Sequence, residues 1–238
     1  MKKIVICHLY YDLMNLYGEL GNIKALAQNF ALQNLEVEVI NVTINEPINF
    51  KDYDFIYIGS GTEEMRDLVL QDLLNYQEEL KNYLKSGGFI LATGNAYPLF
   101  GKSIINAKKE EIKALNLFSF KEEETSRIVK ERTVKTDFLT NDLYAFENHL
   151  HKLDQDNDWF NDPEVFKHFY GTYLIGPILI RNPQLLEYLI KTWLETNKLP
   201  YQKLDLTLEN QAYQEFITFK KIKNNKKAYL KKYKTGLN

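Results

Sequence analysis

The chain has 238 residues and a formal net charge of −2, with 45% hydrophobic and 26% charged residues. That is the composition of a folded globular protein with room for a sizeable core, and it lacks the basic excess of a nucleic-acid binder. No run of about 18 apolar residues offers a membrane span. A single cysteine, Cys7, excludes an intramolecular disulfide and a cysteine-built zinc cage.

Residues 3–9 (KIVICHL) form a short apolar run with β-branched members and predict a buried strand. The two lysines before it echo a signal peptide, but the run is short and no small-residue cleavage site follows, so it reads as a first strand; the lone cysteine fits the expectation of a reducing cytoplasm. Over 13–32, Leu13, Leu16, Tyr17, Leu20, Ile23, Leu26, Ala27 and Phe30 recur at helical spacing. LEVEVINV (35–42) alternates as a strand does, and DFIYIG (54–59) predicts a third strand ending in a glycine turn, Gly59-Ser60-Gly61-Thr62. Residues 63–85 predict one or two helices with Leu68, Leu73, Leu74, Leu80 and Leu84 inward. GGFILAT (87–93) is a fourth strand, and strands alternating with helices of this length predict a parallel sheet covered on both faces.

Directly after that strand the chain reads Gly94-Asn95-Ala96-Tyr97-Pro98-Leu99-Phe100-Gly101. A strand, a tight turn and a helix form the elbow that exposes a nucleophile in α/β hydrolases, yet neither glycine nor asparagine can attack a carbonyl. Short charged strands are expected within 117–136, a strand over 142–148 (DLYAFEN), and a polar loop over 149–168. GTYLIGPILIRNP (171–183) predicts a strand and a turn, 184–196 a helix, and 208–234 a further helix. Ligands of doubly wound sheets lie at the carboxyl ends of the strands. Three loops end there on this reading: 59–62, 94–96 and the turn after Tyr173-Leu174-Ile175.

Four segments carry a resemblance. HLYYDLMNLYGELGNIKAL (8–26), Gly59-Ser60-Gly61, Phe146-Glu147-Asn148-His149, and Gly171-Thr172-Tyr173-Leu174-Ile175-Gly176-Pro177 with Arg181-Asn182-Pro183 occur in this order. They resemble segments of the glutamine amidotransferase subunit of bacterial lipid II isoglutaminyl synthase, a cobyric-acid-synthase-like member of the class I amidotransferases. The resemblance covers about residues 4 to 196. It implies an α/β fold of the class I amidotransferase (flavodoxin-like) type, a mostly parallel sheet with helices on both faces. The expected division is residues 1–200 as that domain and 201–238 as a helical, lysine-rich extension packed on it.

The same resemblance implies an activity and its loss. Family members hydrolyse glutamine with a Cys–His pair and hand ammonia to a Mur-ligase-like ATPase subunit that amidates a peptidoglycan precursor. The family's Cys-Gly-Gly-Tyr-Gln-Leu-Leu-Gly falls on residues 94–101, so its nucleophile position is Gly94, and its general-base histidine falls on Ile175. The chemistry needs a thiolate with a histidine to activate it and backbone N–H donors for the oxyanion. Neither catalytic side chain is present, and Pro177 stands where many triad enzymes carry their acid. The resemblance therefore predicts a catalytically degenerate subunit that keeps a Mur-ligase-like ATPase partner as scaffold or regulator, with no cofactor.

Two alternatives remain open at this point. In one, the former cleft (Gly59, Ser60, Gly61, Thr62, Asn95 and Ala96) holds a small carboxylate or amide ligand, with His8, Glu147, Asn148, His149 and Tyr173 as wall or structural residues. In the other, the chain is an enzyme of altered chemistry. Cys7, inside a strand, reads as an inert thiol, and Ser60 and Thr62 have no base placed for them. His151 and His168, with Asp154, Asp156 and Asp158, read as a solvated loop rather than a metal cage. Trp159 and Phe160 are either interface anchors or core residues. Residues 220–234 hold eight lysines and no acid, which reads as a solvated helix end suited to the macrodipole rather than a nucleic-acid or membrane-surface segment.

Overall fold

The computed structural model describes residues 2–154 and 159–234, the side chains of His151 and of 221–234 excepted. Its centre is a parallel sheet of order β2-β1-β3-β4-β9. The strands are β1 (Lys3–Leu9), β2 (Glu36–Val42), β3 (Phe55–Ile58), β4 (Phe89–Thr93) and β9 (Phe169–Thr172). β3, β4 and β9 are buried along their whole length, the continuous apolar pattern of a sheet covered on both faces. β2 at the edge is largely exposed, so its alternation is kept.

Helices α1 (Leu20–Ala31) and α5 (Pro183–Thr196) cover one face. There Trp193 meets Phe30 edge-on, ring centroids 5.2 Å apart. The opposite face packs on α2 (Glu63–Leu74) and α3 (Gln77–Lys85). Helix α1 begins at Leu20, not Leu13. Tyr10 and Gly18 sit at positive φ (53° and 77°), and residues 10–19 form turns that pack on the loop after β3. Within α2 the inward residues are Val69, Leu70 and Leu73, whereas Leu68 is exposed.

A second sheet, of order β6-β5-β7-β8, was not foreseen. It comprises β5 (Ser103–Ile105), β6 (Glu111–Lys113), β7 (Lys121–Val134) and β8 (Leu143–Leu153). The short strands expected over 117–136 are one strand, β7. β8 runs through His149 to Leu153, so the expected loop starts later. After β9 the chain does not stay extended to Ile175. Residues 173–177 turn, and a short helix α4 (Ile178–Arg181) leads into α5.

Trp159 and Phe160 fold back onto the core. Phe160 is buried against Tyr97, Phe118 and Phe120, and Trp159 packs on Phe138 and Tyr170. The last helix, α6 (Thr207–Lys234), is anchored by Tyr213, whose hydroxyl donates to the Asp142 carbonyl at 2.5 Å. Phe216 packs at a tilt against Tyr144, centroids 4.2 Å apart. Among the described residues no helix is long and apolar enough to cross a membrane.

Candidate functional site

In a sheet of this strand order the chain reverses direction between β1 and β3, and a cleft is expected outside their carboxyl ends. The loops 10–19, 59–62, 94–96 and 173–177 meet there. Gly94, at the tip of the turn after β4, has φ +60°, a left-handed conformation that glycine adopts at no steric cost. The segment Gly94–Phe100 continues as a 3₁₀ turn rather than an α-helix, with Pro98 inside it.

The space above Gly94 is filled. A Cβ built there would stand 2.5 Å from Cβ and Oγ of Ser60 and 2.6 Å from Cγ2 of Ile175. Ile175 is itself pinned, its N–H donating to the Phe146 carbonyl at 2.9 Å. The Gly-Ser-Gly sequence has a packing reason of its own. A Cβ at Gly59 would lie 2.4 Å from the Met14 carbonyl oxygen, and one at Gly61 2.6 Å from that of Leu13. Leu16 N–H donates to the Ser60 carbonyl at 2.8 Å and closes the contact.

Asn95 ties the two loops together. Its Oδ1 accepts from the Gly61 N–H at 3.0 Å and from Ser60 Oγ at 3.1 Å. Its Nδ2 donates to the Gly61 carbonyl at 2.9 Å, and its own N–H reaches Ser60 Oγ at 3.4 Å. Gly59, Ser60, Gly61, Asn95 and Ala96 are all buried. Thr62 is exposed and caps α2, accepting from the Met65 N–H at 3.2 Å.

Beneath the turn lies Glu19, fully buried. One of its oxygens accepts from the hydroxyls of Tyr57 and Thr93 and from Asn22, the other from the Gly176 N–H at 3.2 Å. Burial pushes its pKa up to about 7 against these donors, which favour the charged form. His8, also buried, neighbours Tyr57 with ring centroids 5.7 Å apart, and among the described residues neither ring nitrogen has a hydrogen-bond partner. Burial lowers its pKa to about 4, so it is neutral.

The remaining wall residues belong to β8 and the turn after β9. Tyr173 donates to Glu122 at 2.6 Å, and Glu122 pairs with the buried Arg66 at 3.1 Å. His149 lies flat on Tyr173, centroids 4.0 Å apart. Glu147 takes Arg132 at 2.8 Å, and Asn148 donates to the Tyr17 hydroxyl at 2.8 Å.

Cys7 is buried and its thiol is raised well above the ordinary range. His168 stacks on Phe89, centroids 3.9 Å apart, rather than lining a loop. Asp156 and Asp158 lie outside the described residues. Among the described residues no three His, Cys, Asp or Glu side chains group as metal ligands do. Two grooves of about 350 and 310 Å³ flank α6, one beside Thr140, Tyr213 and Lys220, the other beside Tyr144, Ile180 and Phe216.

In the sequence Glu19 is marked only by its place in the opening motif, and no local pattern marks Arg66 or Glu122. Arg66 and Glu122 are 56 positions apart and pair only through the fold.

A parallel sheet of this order, with a left-handed turn after β4 facing a glycine-bounded loop, defines the α/β class to which triad amidotransferases belong. The chain belongs to the CobB/CobQ-like glutamine amidotransferase family, whose domain model matches residues 5–165. It is similar to the lipid II isoglutaminyl synthase (glutamine-hydrolyzing) subunit GatD of Staphylococcus aureus (strain N315). The two are 29% identical over 234 residues, 91% of this chain and 96% of that protein. The subunit of the same name from Streptococcus pneumoniae (strain ATCC BAA-255 / R6) is 25% identical, over 91% of this chain and 88% of that one. Among solved structures, PurLQS from Thermotoga maritima aligns with a TM-score of 0.48 and 12% identity, over 90% of this chain and 99% of that chain.

Proposed function

We propose that this chain is the amidotransferase-like subunit of a lipid II-amidating assembly that no longer hydrolyses glutamine. On this reading it serves a Mur-ligase-like, ATP-dependent partner in the cytoplasm as scaffold or regulator. The setting is taken from the two relatives, both named as subunits of lipid II isoglutaminyl synthase and matched over nearly their whole length. The observation that carries the loss of chemistry is the filled space above Gly94. Glycine supplies no nucleophile, and Ser60 and Ile175 occupy the volume that a thiol-bearing side chain would need.

Among the described residues no substitute nucleophile–base pair is seen at the elbow. Among the described residues Ser60 Oγ is bonded only to Asn95, with no histidine or carboxylate among its partners. A sensor reading is also weakened, because the groups that would bind a carboxylate or amide are engaged with one another.

The test has two parts. The purified chain should release no ammonia from glutamine above background, alone or with its partner present. Affinity purification from the native cells should recover a Mur-ligase-like ATPase in stoichiometric amount. Glutamine hydrolysis would overturn the loss of chemistry, and recovery of no such ATPase would overturn the scaffold role.

A further inference from the structure

The amide held above the elbow belongs to the protein itself. Asn95 presents a carboxamide whose oxygen takes one backbone N–H and one hydroxyl, and whose nitrogen donates to the carbonyl of the same residue, Gly61. This is how a site would hold the end of a primary-amide ligand: two donors on the oxygen and one acceptor on the nitrogen. Asn95 is 5% exposed, and all these bonds link the 59–62 loop to the turn after β4.

We propose that Asn95 is an internal ligand, its side chain occupying a primary-carboxamide subsite at the carboxyl edge of the sheet and keeping external amides out. The inference rests on reading the cleft as retired from catalysis, and it adds which chemical group fills it. Three things follow from the geometry. Free amides do not bind the native protein. Removing the side chain leaves the N–H and carbonyl of Gly61 without their Asn95 partner and Ser60 Oγ with only the backbone N–H of residue 95, which destabilises the fold. The vacated space then has the shape and polarity of a small primary amide.

Asn95→Gly removes a –CH₂CONH₂ group, so acetamide is the matching probe. Thermal melts of the variant should fall by about 5–10 °C, the scale of two or three buried hydrogen bonds in a chain of this size. Added acetamide should restore part of that loss, increasingly with concentration. N,N-Dimethylacetamide, which cannot donate to the Gly61 carbonyl, should not, and neither compound should raise the melting temperature of the native protein. A shift equal in native and variant protein, or none in the variant, overturns the proposal.

If Asn95→Gly does not fold, hydrogen exchange of the native Asn95 carboxamide, assigned through its contacts to Gly61, decides the question. Exchange at least tenfold slower than at exposed asparagines is expected, and exchange at their rate overturns the proposal. Both readouts are independent of glutaminase activity and of partner recovery. Failure here therefore leaves the functional reading standing, and failure there leaves this one.

Discussion

At Glu19, a carboxyl group sealed from water, the loop after β1 is tied to β3, β4 and the turn after β9. The folded carboxyl keeps its proton up to about pH 7, whereas the unfolded one releases it near 4.5. The folded state thus binds more protons between those values. The contribution of Glu19 is complete below about pH 4.5 and is lost as pH rises through 7. His8 acts in the opposite sense, its contribution being lost as pH falls from 6.5 through about 4, so total stability hides both trends. Urea melts of Glu19→Gln against the native protein separate them. The variant should gain relative stability from pH 5 to 7.5, with a slope of at most about 1.4 kcal/mol per pH unit.

A second prediction concerns Gly94→Cys. The new side chain meets Ser60 and Ile175 at 2.5–2.6 Å, and its φ is one that non-glycine residues hold at a cost of about 1–3 kcal/mol. The variant should melt lower by several degrees and release no ammonia from glutamine. Activity in this single variant would show that the slot opens without Ile175 being replaced.

Among the elements, β7 was the hardest to anticipate. Its charged, mostly exposed sequence KEEETSRIVKERTV carries no apolar alternation, and what holds it extended is its pairing with β8 from Glu122 to Val134. That pairing brings Glu122, fully buried, onto Arg66 of α2 and Tyr173. Glu122→Ala should cost about 3 kcal/mol in chemical denaturation, because it leaves a buried guanidinium short of a partner. Glu122→Gln should cost less, since it keeps an acceptor for Tyr173. On the other face, α5 was legible from its apolar spacing alone. Its Trp193, packed on Phe30 and 1% exposed, should cost about 3–5 kcal/mol when cut to alanine.

For the whole molecule, the amidotransferase-like frame is intact while its elbow carries no reactive group. On the proposed reading the outer surface of this frame carries the function, so recovery of the ATPase, rather than any assay on the chain alone, tests the role. The same proposal accounts for the packing at the elbow: in a cleft without thiol and imidazole, Ile175 and Asn95 fill the space with one apolar and one self-satisfied polar group.

The sequence by itself determined the order and type of the central elements. The apolar runs of β1, β3 and β4 and the helical spacing of α5 are local patterns, and burial on both faces of a parallel sheet leaves little freedom in how they are read. It also determined that residues 94 and 175 carry no nucleophile and no base, since that is a matter of identity. Tertiary structure alone decided where α1 starts, because packing of 10–19 on Gly59 and Gly61 overrode a helical pattern that began at Leu13. It alone decided that Trp159 and Phe160 are core, that Glu19 and Glu122 are buried, and that Asn95 bonds the 59–62 loop. Each of these rests on contacts between residues far apart in the chain, whose energies exist only once the fold has brought them together.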